Sequence, residues 1–407
     1  MSSARAFLRR TLDRNGHIPA EATASTLHVA NCADSGPGSL RAAIAVVSDG
    51  GTVIIDNTHP CSTTTLTSGA SQVTQNPPYL TCFQFFFIRS SPRAYTAVMT
   101  PIVNLALRTW VATAFPRSPG GIDYELPCGD PGLFGPDSAT WQIHADFAGM
   151  LSGGLGALML QILHPAVLAG VWDHSNFRDD LVGRLRRTTN FVAGTTYAGT
   201  ETAHHMIARV RSIHAHVHGV TPSGEPYQAQ DPQLLTWVHV TEAFGFLEGY
   251  RRACGPVPTE HADRYYGETR LVAEALGARD VPRNESDVRE YFDMMQPKLA
   301  FTERSLTVLQ ILQRMRLPVP LSGPSRDVFL GAGMALLPDW AFDRLQAGRA
   351  KHLRAVAASA TLSTLAPLFR AALRDGPAQR ACRRVGKDPS WVRRPFPPGD
   401  AASQAPA

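Results

Sequence analysis

Residues 209–219 read RVRSIHAHVHG, with histidines at 214, 216 and 218. On a strand the three would share one face and could ligate one metal together. On a helix they would not. The surrounding pattern reads as helix: Ala203, Ile207, Val210, His214 and Val217 recur at steps of three and four, forming one apolar stripe. That reading buries His214 alone. His216 falls about 200° around the axis, on the wet side. His218 would sit in the last turn, ahead of Gly219 as C′ residue, where an imidazole suits the negative end of the helix.

The helical signature extends on both sides. Amphipathic segments recur near 146–163, 166–172, 178–193, 199–218, 231–251, 259–276, 286–296, 298–315, 326–335 and 338–375, separated by breakers such as Pro165, Pro222, Pro256, Pro282, Pro318 and Pro338. The fold class expected is therefore mainly all-α, with one helical domain over 127–388. Residues 389–407, rich in Pro and Ala, read as a disordered tail, residues 1–25 as a disordered leader, and 81–126 as a linker carrying an amphipathic helix.

The N-terminal part has another character. From Thr26 to Asn76, short β-branched runs alternate with Gly, Ser, Asn and Asp turns. Asp34–Ile44, Gly50–Ile55 and Thr64–Gly69 resemble the opening coil of right-handed parallel β-helix surface proteins. Such a coil needs stacked neighbours to bury its core, and none follows. Residues 26–80 therefore read as a truncated β-helix-like segment.

With 407 residues, a formal charge of +5 and a pI near 9.0, the composition is that of an ordinary globular protein. The basic residues are dispersed arginines with no aromatic-interleaved stripe, so no nucleic-acid partner is expected. Six cysteines show no CxxC pair, which argues against a zinc ribbon. The N-terminus lacks an apolar stretch of signal-peptide length, and a cytoplasmic location is expected. Ala94–Phe115 and Phe147–Val171 are apolar, but Arg108 interrupts the first and Gln161, His164 and Pro165 the second. Buried or surface-associated helices, with peripheral membrane contact, fit better than spans.

A second feature is FRDDLVGRLRRTTNFV (177–192), where Arg184, Arg187 and Thr188 share one helix face beside Leu181, Leu185 and Thr189. An arginine bordering a core needs an acidic partner or a ligand. The plain alternative is a surface run paired with Asp179 and Asp180.

GLFGPDSATW (132–141), GLGALMLQILHPAVLAGVWDHSNFRDD (154–180), GRLRRTTNFVAGTTYAG, RVRSIHAHVHG, GEPYQAQDPQLLTWVHVTEAFGFL (224–247) and DRYYGETRLVAEALGARDVP (263–282) occur in this order. Together they resemble the family of rubber oxygenase (latex-clearing protein) and the MpaB-type fungal oxygenase, over residues 127–340. The resemblance implies a globin-reminiscent helical domain holding one haem b. It places the proximal iron ligand at His214. It also places the Arg-x-x-Lys-Thr arrangement of the distal side at Arg184, Arg187 and Thr188, with Arg in place of Lys, which keeps the charge but not the shape. Arg184 and Thr188 would then hydrogen-bond dioxygen or a haem propionate. The implied activity is O₂-dependent cleavage or oxygenation of a hydrophobic, isoprenoid or lipid-like substrate.

Other residues have two readings each. Asp173 and His174 either cap a helix or contact a propionate. His239, inside the apolar run Trp237–Val240, is a core or a pocket residue. Tyr265, Tyr266 and Glu268 read as structural, and His164-Pro165 as a helix break. Two alternatives to a haem oxygenase stand beside it. One is a non-haem metalloenzyme using His204/His205 and His214/His218; the other is a non-catalytic lipid or isoprenoid carrier using the same apolar cavity.

Overall fold

The computed structural model describes residues 26–29, 52–55, 104–113, 121–317, 321–346 and 348–396. The chain divides into two compact units, residues 1–89 and 90–407. In the first, strands β1 (Thr26–Val29) and β2 (Thr52–Ile55) pair in parallel, Thr26 opposite Thr52 and Val29 opposite Ile55. Adjacent turns of a β-helix pair in the same way. The other resemblances to that fold, at 34–44 and 64–69, lie outside the described residues, as do Cys32, Cys61 and Cys82.

The second unit is helical. Its described elements are α1 (104–113), α2 (Ala139–His144), α3 (Phe147–Gln161), α4 (Pro165–His174), α5 (Leu181–Tyr197), α6 (Thr200–His214) and α7 (Pro232–Cys254). They continue with α8 (Thr259–Leu276), α9 (Glu285–Met295), α10 (Glu303–Arg314), α11 (Ser322–Met334), α12 (Asp339–Arg344), α13 (Gly348–Ala372) and α14 (Pro377–Arg384). A hairpin of β3 (His218–Val220) and β4 (Pro226–Gln228) separates α6 from α7. Local sequence sets the helix ends. Asp146, Asp180 and Asp231 are N-caps whose carboxylates accept from Gly149, Gly183 and Gln233 backbone N–H groups. Pro165 and Pro232 sit in first turns, where a missing N–H costs nothing. At His164-Pro165 the chain turns by 106°, so the apolar stretch 147–171 is two core helices.

Helices α3 and α7 form the centre of the domain, and glycines let them touch. A Cβ at Gly245 or Gly249 would strike the carbonyl of Gly153 or Gly149 across the interface. On the same side of α3, a Cβ at Gly156 would come within 2.9 Å of the Gly333 carbonyl on α11. Backbones this close exclude any side chain. Gly245→Val should therefore cost about 3 kcal/mol, the upper end of overpacking penalties. Gly154, whose added Cβ would meet only the Phe246 ring at 3.5 Å, is the control. Gly154→Ala should be neutral or gain up to about 1 kcal/mol from helix propensity. Urea unfolding of both variants checks this, and equal losses would show that the glycine contact is not what limits the approach.

The structure departs from the sequence expectations in four places. The helix expected over 199–218 ends at His214, where His216 and Val217 N–H groups bond to Ile213 and His214 carbonyls at 3.1 Å, tightening the chain into β3. The segment 338–375 is two helices, α12 and α13. The helix in the 81–126 segment packs into the core, its Trp110 ring stacking 5.9 Å from Phe329. Residues 389–396, assigned to the tail, also pack: Val392 is 1% exposed and Trp391 donates to the Pro136 carbonyl at 3.0 Å. Among the described residues α13 is long and apolar enough to cross a membrane by length and composition, with a third of its apolar window buried.

Candidate active site

One cavity of about 2170 Å³ dominates the helical unit, with walls from α1 to α8 and α13 to α14. Ligand pockets usually fall in the range of roughly 300–1,000 Å³, so this one has room for a large cofactor and a substrate together. Helix α3 supplies a continuous apolar wall. Phe147, Met150, Leu151, Leu155 and Leu158 face the cavity at helical spacing, ending at Gln161.

His214 stands in this wall at the C-terminal end of α6, half-buried. Burial holds its imidazole below the usual histidine pKa, so the ring is neutral near pH 7. Its Nδ1 is buried without a hydrogen-bond partner. A ligating histidine normally has an acceptor on its second nitrogen; among the described residues no acceptor is supplied. The hairpin that follows α6 is tied to α4: Tyr227 of β4 donates to Asp173 at 2.8 Å and His174 meets the His218 carbonyl at 3.0 Å. His216 is exposed and bonded to the Ser212 carbonyl at 2.9 Å, as the helical reading requires. His218 does not cap α6. It is an exposed residue of β3, and Gly219 is a strand residue opposite Tyr227, because the helix closes a turn earlier.

The arginine face divides. Arg184 is half-buried, lines the cavity and donates to Ser175 Oγ at 3.1 Å. No ion pair with Asp180 holds it; Asp180 is the N-cap of α5. Burial, and then the charge of Arg187, lower its pKa, while Glu242 acts the other way. Thr188 lines the cavity, but its hydroxyl proton is directed to the Arg184 carbonyl at 3.3 Å. Arg187 is exposed, lies 3.7 Å from Asp180 and donates to Asn176 at 3.2 Å, away from the cavity lining. The surface reading is thus correct for Arg187, and the departure from lysine at that position falls outside the chamber.

Facing Arg184 is a group that the sequence reading passed over. Glu242 of α7 lines the cavity, and burial pushes its carboxyl up to about 7, with Gln161 and Arg184 drawing it back. It is the one charged side chain in the run 234–247, and a lone acid in an apolar helix was the available signal. His239, one turn earlier, also lines the cavity; burial pushes it down to about 4. His144 of α2 bonds Thr196 and Tyr265, each at 2.9 Å, and is pushed down to about 3, chiefly by burial.

These shifts have opposite signs in the pH dependence of stability. The unfolded chain binds protons that buried His144, His239 and His164 (pushed down to about 4) refuse, so they make stability rise with pH up to about 6.5. Glu242 does the reverse: folded protein keeps a proton that the unfolded chain loses above about 4.5, so stability falls as pH rises to about 7. Three groups outweigh one through neutral pH, because the unfolded histidines are still half protonated at about 6.5. Unfolding free energy of the apoprotein should rise from about pH 4 and level off above about pH 7. Glu242→Gln should steepen the rise between about pH 4.5 and 7 and relieve a cost of up to roughly 3 kcal/mol at the plateau. A variant whose profile runs parallel to wild type would assign the titration elsewhere.

The remaining expected residues are placed as follows. Asp173 accepts from Tyr227 and lies 3.7 Å from Arg304; it caps no helix and lies outside the cavity lining. His174 lines the cavity. Glu268 receives the Ala139 and Thr140 N–H groups at the start of α2 and is structural, as expected. Among the described residues no group of three His, Cys, Asp or Glu side chains could hold a metal ion, so the histidines do not assemble the non-haem centre weighed as an alternative.

A family model described as "ER-bound oxygenase mpaB/B'/Rubber oxygenase, catalytic domain" matches residues 141–385, more than half of the chain. The chain belongs to this oxygenase family. Neither the curated proteins nor the solved structures contain a match. The family span runs from α2 through α14 and includes Arg184, His214, His239 and Glu242; Arg108 and Arg393, which also line the cavity, fall outside it.

Proposed function

We propose that this member of the mpaB/rubber oxygenase family is a haem-dependent oxygenase that uses O₂ to cleave or oxygenate a long hydrophobic substrate. The observation that carries the reading is His214: a neutral imidazole with an unpartnered buried nitrogen, in the wall of a cavity with room for a cofactor beside a substrate. A neutral imidazole is the form that ligates haem iron, and these residues fit the group. When bound, haem supplies the O₂ chemistry. The chain's own residues do the rest. His214 holds the cofactor. The apolar face of α3 aligns the substrate and excludes water from it. Arg184 offers a fixed cation in a desolvated wall, where negative charge developing on a reacting oxygen is stabilised most. Glu242 can hold or release a proton near neutral pH, because its carboxyl titrates there.

The absorption spectrum of the purified protein, with and without added haem, tests this. A Soret band with one haem per chain is expected. Binding of a hydrophobic ligand with no Soret band under any loading condition would instead make the protein a carrier built on an oxygenase fold.

A further inference from the structure

The cavity has two chemically distinct ends. Gln161, Arg184, His214 and Glu242 mark one. The other lies at the C-terminus of α13, where Arg108, Arg370, Arg374, Arg380 and Arg393 all reach the lining. Two of these are neutralised: Arg370 by Asp146 at 2.9 Å and Arg380 by Asp375 at 2.7 Å. The other three contact neutral groups. Arg108 donates to the Ala372 carbonyl at 2.7 Å, Arg374 to Ala371 at 2.9 Å, and Arg393 to Arg370 and Leu373 carbonyls. Among the described residues none of the three pairs with a carboxylate. Burial, then the neighbouring charge of Arg374, keep the Arg393 guanidinium below its usual pKa, with Asp146 acting the other way and Arg370 adding to the depression.

Capping a helix explains where these arginines bond but not their number. A helix C-terminus carries only about −0.5 charge, against three full cations. The surplus sits at the mouth of an apolar wall. Phe147 and Gln161 bracket that wall, fourteen residues apart on α3, or about 21 Å.

We propose that this cationic end binds the anionic head, a carboxylate or phosphate, of an amphiphile whose apolar chain runs along α3 toward Arg184 and His214. The assignment rests on reading the cavity as the substrate chamber, and it names the substrate class: an anionic long-chain lipid or prenyl compound rather than an uncharged polymer. Two of the three unpaired cations, Arg108 and Arg393, lie outside the family span, while Arg374 lies within it.

Binding to haem-free protein tests this independently of the oxygenase reading. Calorimetry would compare palmitate, hexadecyl phosphate and hexadecanol, which share one chain length. At least one anion should bind ten or more times tighter than the alcohol, and the tighter of the two identifies the head. Arg108→Gln/Arg374→Gln, which removes two exposed side chains and spares Arg393 for the helix end, should bring that ratio close to one while leaving hexadecanol affinity unchanged. Equal affinities in wild type, or an undiminished preference in the double variant, would overturn the proposal. So would a preference that disappears on haem loading, because the haem propionates would then be the anions these arginines hold. Absence of a Soret band would leave the binding results, and the proposal, standing.

Discussion

His214→Ala is expected to yield a folded apoprotein that shows no Soret band after incubation with haem, whereas His216→Ala retains it. The two side chains are two residues apart, yet one lines the cavity and the other bonds the Ser212 carbonyl in solvent. Removing the imidazole takes away the neutral nitrogen donor and leaves the apolar walls intact. The His214 side chain makes no hydrogen bond at Nδ1, so its loss should cost the apoprotein little stability. Equal haem loss in both variants would mean that the helical placement of the cluster is wrong. Retention in both would move the ligand elsewhere, with His239 and His205 of the same lining as the next residues to replace.

Arg184→Ala is expected to keep the Soret band and lose about a hundredfold in turnover per haem, the roughly 3 kcal/mol that one preorganised donor contributes to a developing charge. Arg187→Ala, on the same helix but turned to Asp180 and Asn176, should behave as wild type. A structural arginine would give the reverse pattern, with melting temperature falling and turnover per haem unchanged. The structure favours the first outcome, because the one hydrogen bond that the Arg184 guanidinium donates within the described residues is to Ser175, and a desolvated guanidinium without an ion pair contributes little to folding. Thr188→Val should have a smaller effect, since its hydroxyl proton is already directed to its own helix.

Much of this was legible in the chain. Helical periodicity alone separated His214 from His216, because a period of 3.6 residues puts them on opposite faces whatever the tertiary fold. It did not predict where α6 would stop. Ala215–Gly219 has the spacing of either a helix or a strand, and the decision rests on a hairpin partner that lies after the Pro222–Gly224 turn. Arg184 and Arg187 could not be told apart by spacing, since three residues leave both on one broad face; the packing of α5 and the capping role of Asp180 separate them. Glu242 was visible as a lone acid in an apolar run. Its significance depends on Arg184 and Gln161, which come from other helices and meet it only in the fold. The glycine spacing of α3 and α7, Gly149/Gly153 and Gly245/Gly249, was in the sequence as well, but it acquires meaning only when the two helices are known to cross there.

Helix α3 carries Gly149, Gly153 and Gly156 on one face and its cavity wall on the other. The first face tolerates no added side chain, because backbone meets backbone there; the second borders the cavity and meets other side chains rather than backbone. Structural integrity and ligand choice are thus written on separate sides of one fifteen-residue element. Changes at Met150, Leu151, Gly154 or Leu158 can shorten, widen or bend the chamber without disturbing the helix crossing. Single substitutions on the cavity face can therefore alter the length of chain the chamber admits while the helix crossing, and with it the fold, stays intact.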